Sequence, residues 1–353
     1  MPDPFEARRI LLIRRDNIGD LVCTMPLIAA LRKRFPQAQL TALTNSYILP
    51  VLENNPDLDA LLAYTKFKHR PPEQGFIDWL WNDRMKTVMA IRQGKFDLAV
   101  LAAPVFQPAA ARFARLSRAP HVLGVTPDGI PGHGIDLVAS VPATAMHEVE
   151  RVFALGAGLG IDGVPPPLRM QPAPAAVEEA RQHLRVTAAD TLPLVAVHLS
   201  ARGPTRQWPA ANFVALMRAL NESRPSRFAL FWSPGRADNP IYPGDDAKAA
   251  EVLKALPQFP IVALRTSGLG ELIAGLAVCD ALICVDGGVM HLAAALGRPM
   301  VCLFGDTDGA RWHPWGVRHE IVQAASRDVI DVGVDEVAAA YRRVTQPEIN
   351  SRA

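Results

Sequence analysis

Leu282-Ile283-Cys284-Val285 is a short apolar run that breaks at Asp286-Gly287-Gly288 and restarts, over residues 290–296, with helical spacing and His291 in its first turn. Buried strand, glycine break and helix in that order belong to a parallel α/β sheet, which narrows the fold more than any other stretch of the chain. The two glycines let the main chain approach a ligand closely. A helix N-terminus adds unpaired N–H donors and a positive partial charge, so the layout predicts an anion site able to hold a diphosphate without a metal. A second run, residues 300–304, ends in Gly305-Asp306-Thr307-Asp308 and puts another polar loop on the same edge, where open α/β sheets bind their ligands.

The alternation extends along the chain. Apolar runs at 10–13, 39–43, 61–64, 98–102 and 122–124 are separated mostly by amphipathic helical stretches, and a second series follows at 194–198, 228–231, 261–264, 282–285 and 300–304. Two doubly wound, Rossmann-like α/β domains facing across a cleft are therefore expected. With 353 residues, 49% of them hydrophobic, the chain is long enough for two cores. Prolines crowd residues 165–174, which places the hinge. The expected domains are 1–164, a linker 165–190, a second domain 191–330, and a C-terminal helix within 331–353 that can pack back on the first domain.

A net charge of +2, with no lysine-rich tract and no interleaved aromatics, argues against nucleic acid as a partner. Cys23, Cys279, Cys284 and Cys302 lie inside apolar runs without metal-ligand spacing, as core thiols of a reducing compartment would. The first nine residues do not resemble a signal peptide, and no apolar stretch reaches the roughly 18 residues a membrane span needs. The expectation is a cytoplasmic protein, compatible with contact at a membrane surface. A P-loop, a Gly-x-Ser-x-Gly elbow and a histidine-glutamate zinc pattern are all missing; Gly156-Ala157-Gly158-Leu159-Gly160 imitates a dinucleotide fingerprint but follows a helix pattern instead of a strand.

Several polar stretches suit chemistry. Gly19-Asp20 follows the first strand, where a carboxylate could take a proton from a sugar hydroxyl, although an aspartate and a glycine there also serve as cap and turn. Pro26 requires the following helix to start near Met25 or to kink. After the strand at 194–198 come Ser200, Arg202, Thr205 and Arg206: two guanidiniums for phosphate oxygens and two hydroxyls for neutral hydrogen bonds. Trp208-Pro209 reads as a packing and helix-start element. His291 stands one turn from Asp286, placed for a sugar or phosphate, or for packing. Asp245 and Asp246 could accept from ribose hydroxyls or cap a helix. Lys66, Lys68 and Arg70 open an aromatic-containing excursion to Asp83, read either as acceptor-contacting or as a surface insertion.

These stretches resemble glycosyltransferase family 9, the ADP-heptose:lipopolysaccharide heptosyltransferases, over nearly the whole chain. The likeness is carried by Ile18-Gly19-Asp20 leading into Thr24-Met25-Pro26, by His198 through Arg206-Gln207-Trp208-Pro209, and by Asp286-Gly287-Gly288-Val289-Met290-His291 followed by Phe304-Gly305-Asp306-Thr307-Asp308. Thr307-Asp308 with Trp312-His313-Pro314-Trp315 looks like the third core heptosyltransferase subgroup. The resemblance implies a GT-B architecture and an inverting, metal-independent and cofactor-free transfer from ADP-heptose to a lipopolysaccharide-core glycolipid, at the cytoplasmic face of the inner membrane. It implies Asp20 as general base and an acceptor held by the first domain, where Gly19, Lys66, Lys68 and Arg70 are the candidates on their position. The donor would be held by Ser200, Arg202, Thr205, Arg206, Asp246, Asp286, Gly287, Gly288, Val289 and His291. Arg206 stands where the family commonly has lysine, and Gly287 where it has serine or threonine, so the phosphate loop would rely more on backbone donors. A sugar-nucleotide epimerase or hydrolase on the same scaffold, or a non-catalytic sugar-nucleotide binding module, are the competing expectations.

Overall fold

In the computed structural model, residues 6–66, 75, 80–142, 146–239 and 243–346 are described, and the chain divides into two compact units at Gln171/Pro172. Each unit contains one six-stranded sheet whose strand pairs are all parallel. In the first the order is β3-β2-β1-β4-β5-β6, with β1 Arg9–Ile13, β2 Gln39–Asn45, β3 Ala60–Tyr64, β4 Leu98–Leu101, β5 His121–Gly124 and β6 Leu137–Val138. In the second it is β12-β11-β10-β7-β8-β9, with β7 Leu194–His198, β8 Arg227–Trp232, β9 Ile261–Arg265, β10 Ala281–Val285, β11 Met300–Phe304 and β12 His319–Gln323. Numbered within its own unit, each sheet runs 3-2-1-4-5-6. Apart from exposed Arg9 at the start of β1, its central strands are buried, as expected where helices cover both faces, and the order reverses between the first and fourth strands. That reversal lies at β1/β4 in one unit and at β7/β10 in the other.

The anticipated strands are therefore present to within about two residues, joined by β6 and β12 at the sheet edges. The expected single helix after β1 is two: α1, Ile18–Val22, and α2, Met25–Arg34, with Pro26 in the first turn of the latter, where its missing N–H costs nothing. The proline-dense linker is only partly a linker. Residues Pro174–His183 form a helix packed against Leu269–Val278 in the second unit, and the division of the chain falls just before it. The closing helix, Val334–Thr345, buries Val337, Ala338, Tyr341 and Val344 in the same core as Trp208 and Phe213. The apolar stripe of this helix is therefore occupied within the second unit. The four cysteines are buried free thiols. Most of the excursion at 66–83, including Lys68 and Arg70, lies outside the described residues.

Candidate functional site

In the first unit the loop after β1 is organised around a buried cation. Arg14 continues the strand and is 2% exposed, and its Nη2 donates to Asp20 Oδ1 at 2.7 Å. Its Nε lies 3.0 Å from Asp16 Oδ2, its Nη1 donates to the carbonyl of Ala102 at the end of β4, and its Nη2 also lies 3.5 Å from Glu148 Oε1. Glu148 opens the helix Glu148–Phe153 and is itself buried, with Arg151 Nε at 3.7 Å. A buried guanidinium with carboxylates on several sides is far less costly than an unpaired one, and its orientation is fixed by them.

Asp20 is not the helix cap. Asn17 takes that position, and Asp20 at the third residue accepts on Oδ2 from the Asn17 backbone N–H at 3.1 Å and the Asn17 amide at 3.2 Å. Three of about four lone-pair directions of the carboxylate are thus occupied, and with the side chain 17% exposed one direction on Oδ1 remains for a hydroxyl proton. Gly19 is buried within α1. Lys66 Nζ donates to the Asp16 carbonyl at 3.2 Å, and Gln107 holds the Asp16 carboxylate, so the loop is tied from two further elements. Beside it, Arg15, Arg84 and Arg112 with Tyr64 and Phe113 line a cavity of about 180 Å³. The Arg15 guanidinium lies 5.1 Å from the Tyr64 ring centre and 5.4 Å from that of Phe113. Arg32, on α2, is tied into the fold: it pairs with Asp59 and donates to the carbonyls of Asp57 and Ala38.

The second unit reverses the charges. Asp286 follows β10 directly and is 6% exposed; Thr307, from the loop after β11, donates its hydroxyl to Oδ2, and Arg206 Nη1 lies 3.3 Å from the same oxygen. Burial pushes the Asp286 carboxyl above the ordinary aspartate range, while the Thr307 hydroxyl and the Arg206 charge pull the other way. Arg206 ends a short turn, Pro204–Arg206, and is one-third exposed, with a buried Nε that has no hydrogen-bond partner. Thr205 Oγ1 donates to Asp306 Oδ1 at 2.9 Å, whereas the Arg206 Nε to Asp306 distance, 3.8 Å, is a charge contact only. Gln323 from β12 donates to the Gly305 and Thr307 carbonyls, and Arg327 to those of Asp306 and Thr307. Three strand-end loops are thereby locked together. Gly287 precedes the helix Gly288–Ala295 with no side chain capping its first turn. Val289 lies in that turn, and its N–H groups are donors for an anion of the kind the glycine break implied.

Other donor-side expectations take more local roles. Ser200 Oγ accepts the Ser233 N–H at 2.8 Å, and Arg202 is exposed ahead of Gly203, whose φ is +100°. Asp246 accepts from the Trp232 indole at 2.8 Å and from both sides of the Arg265 fork, at 3.1 and 2.9 Å, which hold its carboxyl below the ordinary range. Asp245 pairs with Lys248, which also reaches Gln207. His291 is 5% exposed and meets Trp312 edge-on, ring centres 5.9 Å apart. Trp208 is fully buried, donates to the Val332 carbonyl at 3.1 Å and starts the helix Ala210–Ser223 with Pro209, as its motif suggested. Arg14 and Glu148 were not anticipated as site residues. Arg14 stands beside a turn and reads as polar loop, and Glu148 reads as an ordinary first-turn acid.

Known proteins share both the sequence pattern and the architecture. A profile of glycosyltransferase family 9 (heptosyltransferase) matches residues 84–338. Lipopolysaccharide heptosyltransferase 3 of Escherichia coli is 26% identical over 305 residues, covering 84% of this chain and 83% of that protein. Among solved structures, a family 9 glycosyl transferase from Veillonella parvula superposes with a TM-score of 0.81 at 18% identity, over 96% of this chain and 98% of the other. The E. coli ADP-heptose LPS heptosyltransferase II does so at 0.74 with 20% identity, over 95% and 98%. Two 3-2-1-4-5-6 sheets of the GT-B class, a carboxylate held at one switch point, an arginine held at the other, and a family profile spanning most of the chain lead to one assignment: the protein is a glycosyltransferase and belongs to glycosyltransferase family 9, the heptosyltransferases.

Proposed function

We propose that the enzyme transfers heptose from ADP-heptose to a hydroxyl of a lipopolysaccharide-core glycolipid, inverting the anomeric centre, with Asp20 as general base and without a metal or other cofactor. The names of its relatives supply the donor and acceptor class. The observation that carries the mechanism is the Asp20 carboxylate, fixed by three hydrogen bonds with one lone pair left over. The acceptor O–H gives its proton to that oxygen as the alkoxide attacks the anomeric carbon. The bond from that carbon to the diphosphate oxygen breaks, and its electron pair leaves with ADP. The growing charge on the leaving group is met by Arg206, whose guanidinium is one-third exposed, and by the N–H groups at the start of Gly288–Ala295.

The arginine-lined cavity of the first unit suits an anionic group on the acceptor. No helix among the described residues is long and apolar enough to cross a membrane, and we place the enzyme in the cytoplasm, touching the inner membrane peripherally through its acceptor.

Asp20→Asn tests the reading. ADP-heptose affinity by calorimetry is expected to stay within about twofold, while turnover on a core acceptor, followed by mass spectrometry of the glycolipid, falls by at least about 100-fold. Undiminished turnover rejects the base. Consumption of the donor without a glycosylated product supports an epimerase or hydrolase instead, and dependence on a divalent ion after EDTA treatment rejects the metal-free mechanism.

A further inference from the structure

We propose that Glu148 is a positioning residue for Asp20, acting through Arg14: it holds the one guanidinium that aims the base. The proposal rests on the reading of Asp20 as base and adds a residue 128 positions away in sequence.

Glu148 is an unusual acid. A glutamate in the first turn of a helix is normally solvated and gains only from the helix dipole, so it has no reason to be buried. Here the side chain is 2% exposed, and taking a carboxylate out of water is costly unless the site returns something for it. What it meets is Arg14 Nη2, 3.5 Å away, the same nitrogen that donates to Asp20 Oδ1 at 2.7 Å.

The guanidinium is therefore held from four directions. The Ala102 carbonyl takes Nη1, Asp16 faces Nε, and Asp20 and Glu148 share Nη2. Arg14 follows β1, Ala102 follows β4, and Glu148 opens a third element, so the position of Nη2 is fixed by the fold and not by the short helix that carries Asp20 alone. With the Glu148 charge removed, the fork is free to follow Asp16 and Asp20, and the vacant lone pair of Asp20 loses its fixed direction. Misplacing a catalytic group by about 1 Å can cost about 100-fold, so a partial loosening is expected to cost about tenfold.

Neutralising Glu148 does not leave a buried charge stranded. Arg14 keeps Asp16 and Asp20 as partners and Arg151 reaches solvent, so Glu148→Gln is expected to fold, as thermal unfolding will show. The experiment is a double-mutant cycle on turnover at saturating donor and acceptor, using Glu148→Gln, Asp20→Asn and the pair, with ADP affinity measured alongside. In the wild-type background Glu148→Gln is expected to lower kcat about tenfold with KM for both substrates and ADP affinity unchanged. In the Asp20→Asn background the same change is expected to cost less than about twofold, because no base is left to aim.

A loss of equal size in both backgrounds, or no loss in either, overturns the proposal, since a residue that only stabilises the fold acts independently of Asp20. If Asp20→Asn alone turns over normally, the base assignment fails; if Asp20→Asn is inactive and Glu148→Gln is not impaired, only the present proposal does. Arg14→Lys keeps the buried charge but not the fork, and decides the matter should Glu148→Gln unfold. It too must lose turnover with Asp20 present and almost none without it, and an equal loss in both backgrounds again overturns the proposal.

Discussion

Gly305→Ala is expected to damage donor binding by moving one loop against another. A Cβ at Gly305 would lie 2.4 Å from the Thr205 carbonyl oxygen, 3.1 Å from its carbon and 3.2 Å from its Oγ1. A carbon and a carbonyl oxygen rest at about 3.3–3.6 Å, so Thr205 must retreat by about 1 Å. The obstacle is main chain, which no rotamer change relieves. Arg206 is the next residue and moves with it, away from Asp286 at 3.3 Å. A displacement of that size costs up to about 100-fold in a positioned reaction, against about 1–3 kcal/mol of fold stability for the overpacking itself. Initial rates against ADP-heptose, ADP calorimetry and thermal unfolding separate the two effects. We expect kcat/KM for donor to fall about 30- to 100-fold, ADP to bind more weakly, and the protein to stay folded at assay temperature. Wild-type ADP affinity and kcat/KM would refute the argument that these loops hold the diphosphate. Gly287→Ser is the matched control. Its φ of 167° is extended backbone open to any residue, and its Cβ would find nothing nearer than the Val285 carbonyl oxygen at 3.9 Å. That variant is expected to bind ADP at least as well as the parent, since it adds a hydroxyl at the N-cap.

Two further outcomes concern the second unit's core. His198 is fully buried, and desolvation pulls its pKa down to about 4 from 6.5. The unfolded chain therefore takes up the proton first, and stability present at neutral pH is lost as pH falls from about 6.5 towards 4, by at most about 3 kcal/mol; urea midpoints across that window should flatten in His198→Gln, and an unchanged slope rejects the assignment. Trp208→Phe strands the Val332 carbonyl and opens a gap beside Phe213, so about 2 kcal/mol is expected from a lower urea midpoint at unchanged m; a wild-type midpoint contradicts it.

Strands such as Leu194–His198 and Met300–Phe304 were legible because a strand buried on both faces has to be a continuous apolar run. His319–Gln323 was not, since an edge strand is only partly covered and its His-Glu-Ile-Val-Gln carries no such run. The same contrast governs the site. Asp20, Arg206 and Asp286 lie in the segments that follow strands, where the α/β rule directs attention, and each was singled out from its neighbours in sequence. Their supports were not, because supporting contacts join residues far apart: Arg14 to Glu148, Thr307 to Asp286, Gln323 to Gly305. Asp246 shows the same limit of local reading. Its carboxylate looked available for a ribose, but Trp232 and Arg265, from the ends of two adjacent strands, already engage it.

The two switch points follow one rule with the charges exchanged. In each, the residue leaving the strand is buried and charged, and it holds a more exposed partner of opposite sign: Arg14 at 2% holds Asp20 at 17%, and Asp286 at 6% holds Arg206 at 32%. A buried ion is a poor source of net stability, because its desolvation offsets much of its attraction to the partner. It does remove the partner's freedom before any substrate arrives, and a group that needs no reorganisation as charge develops stabilises a transition state more than the same group in motion. The difference in sign then assigns the work. A carboxylate with a spare lone pair suits a proton, and a half-open guanidinium suits an anion. In the reaction proposed above those are the two demands of displacing a diphosphate with a hydroxyl, and the same strand order would meet both by exchanging which charge is buried.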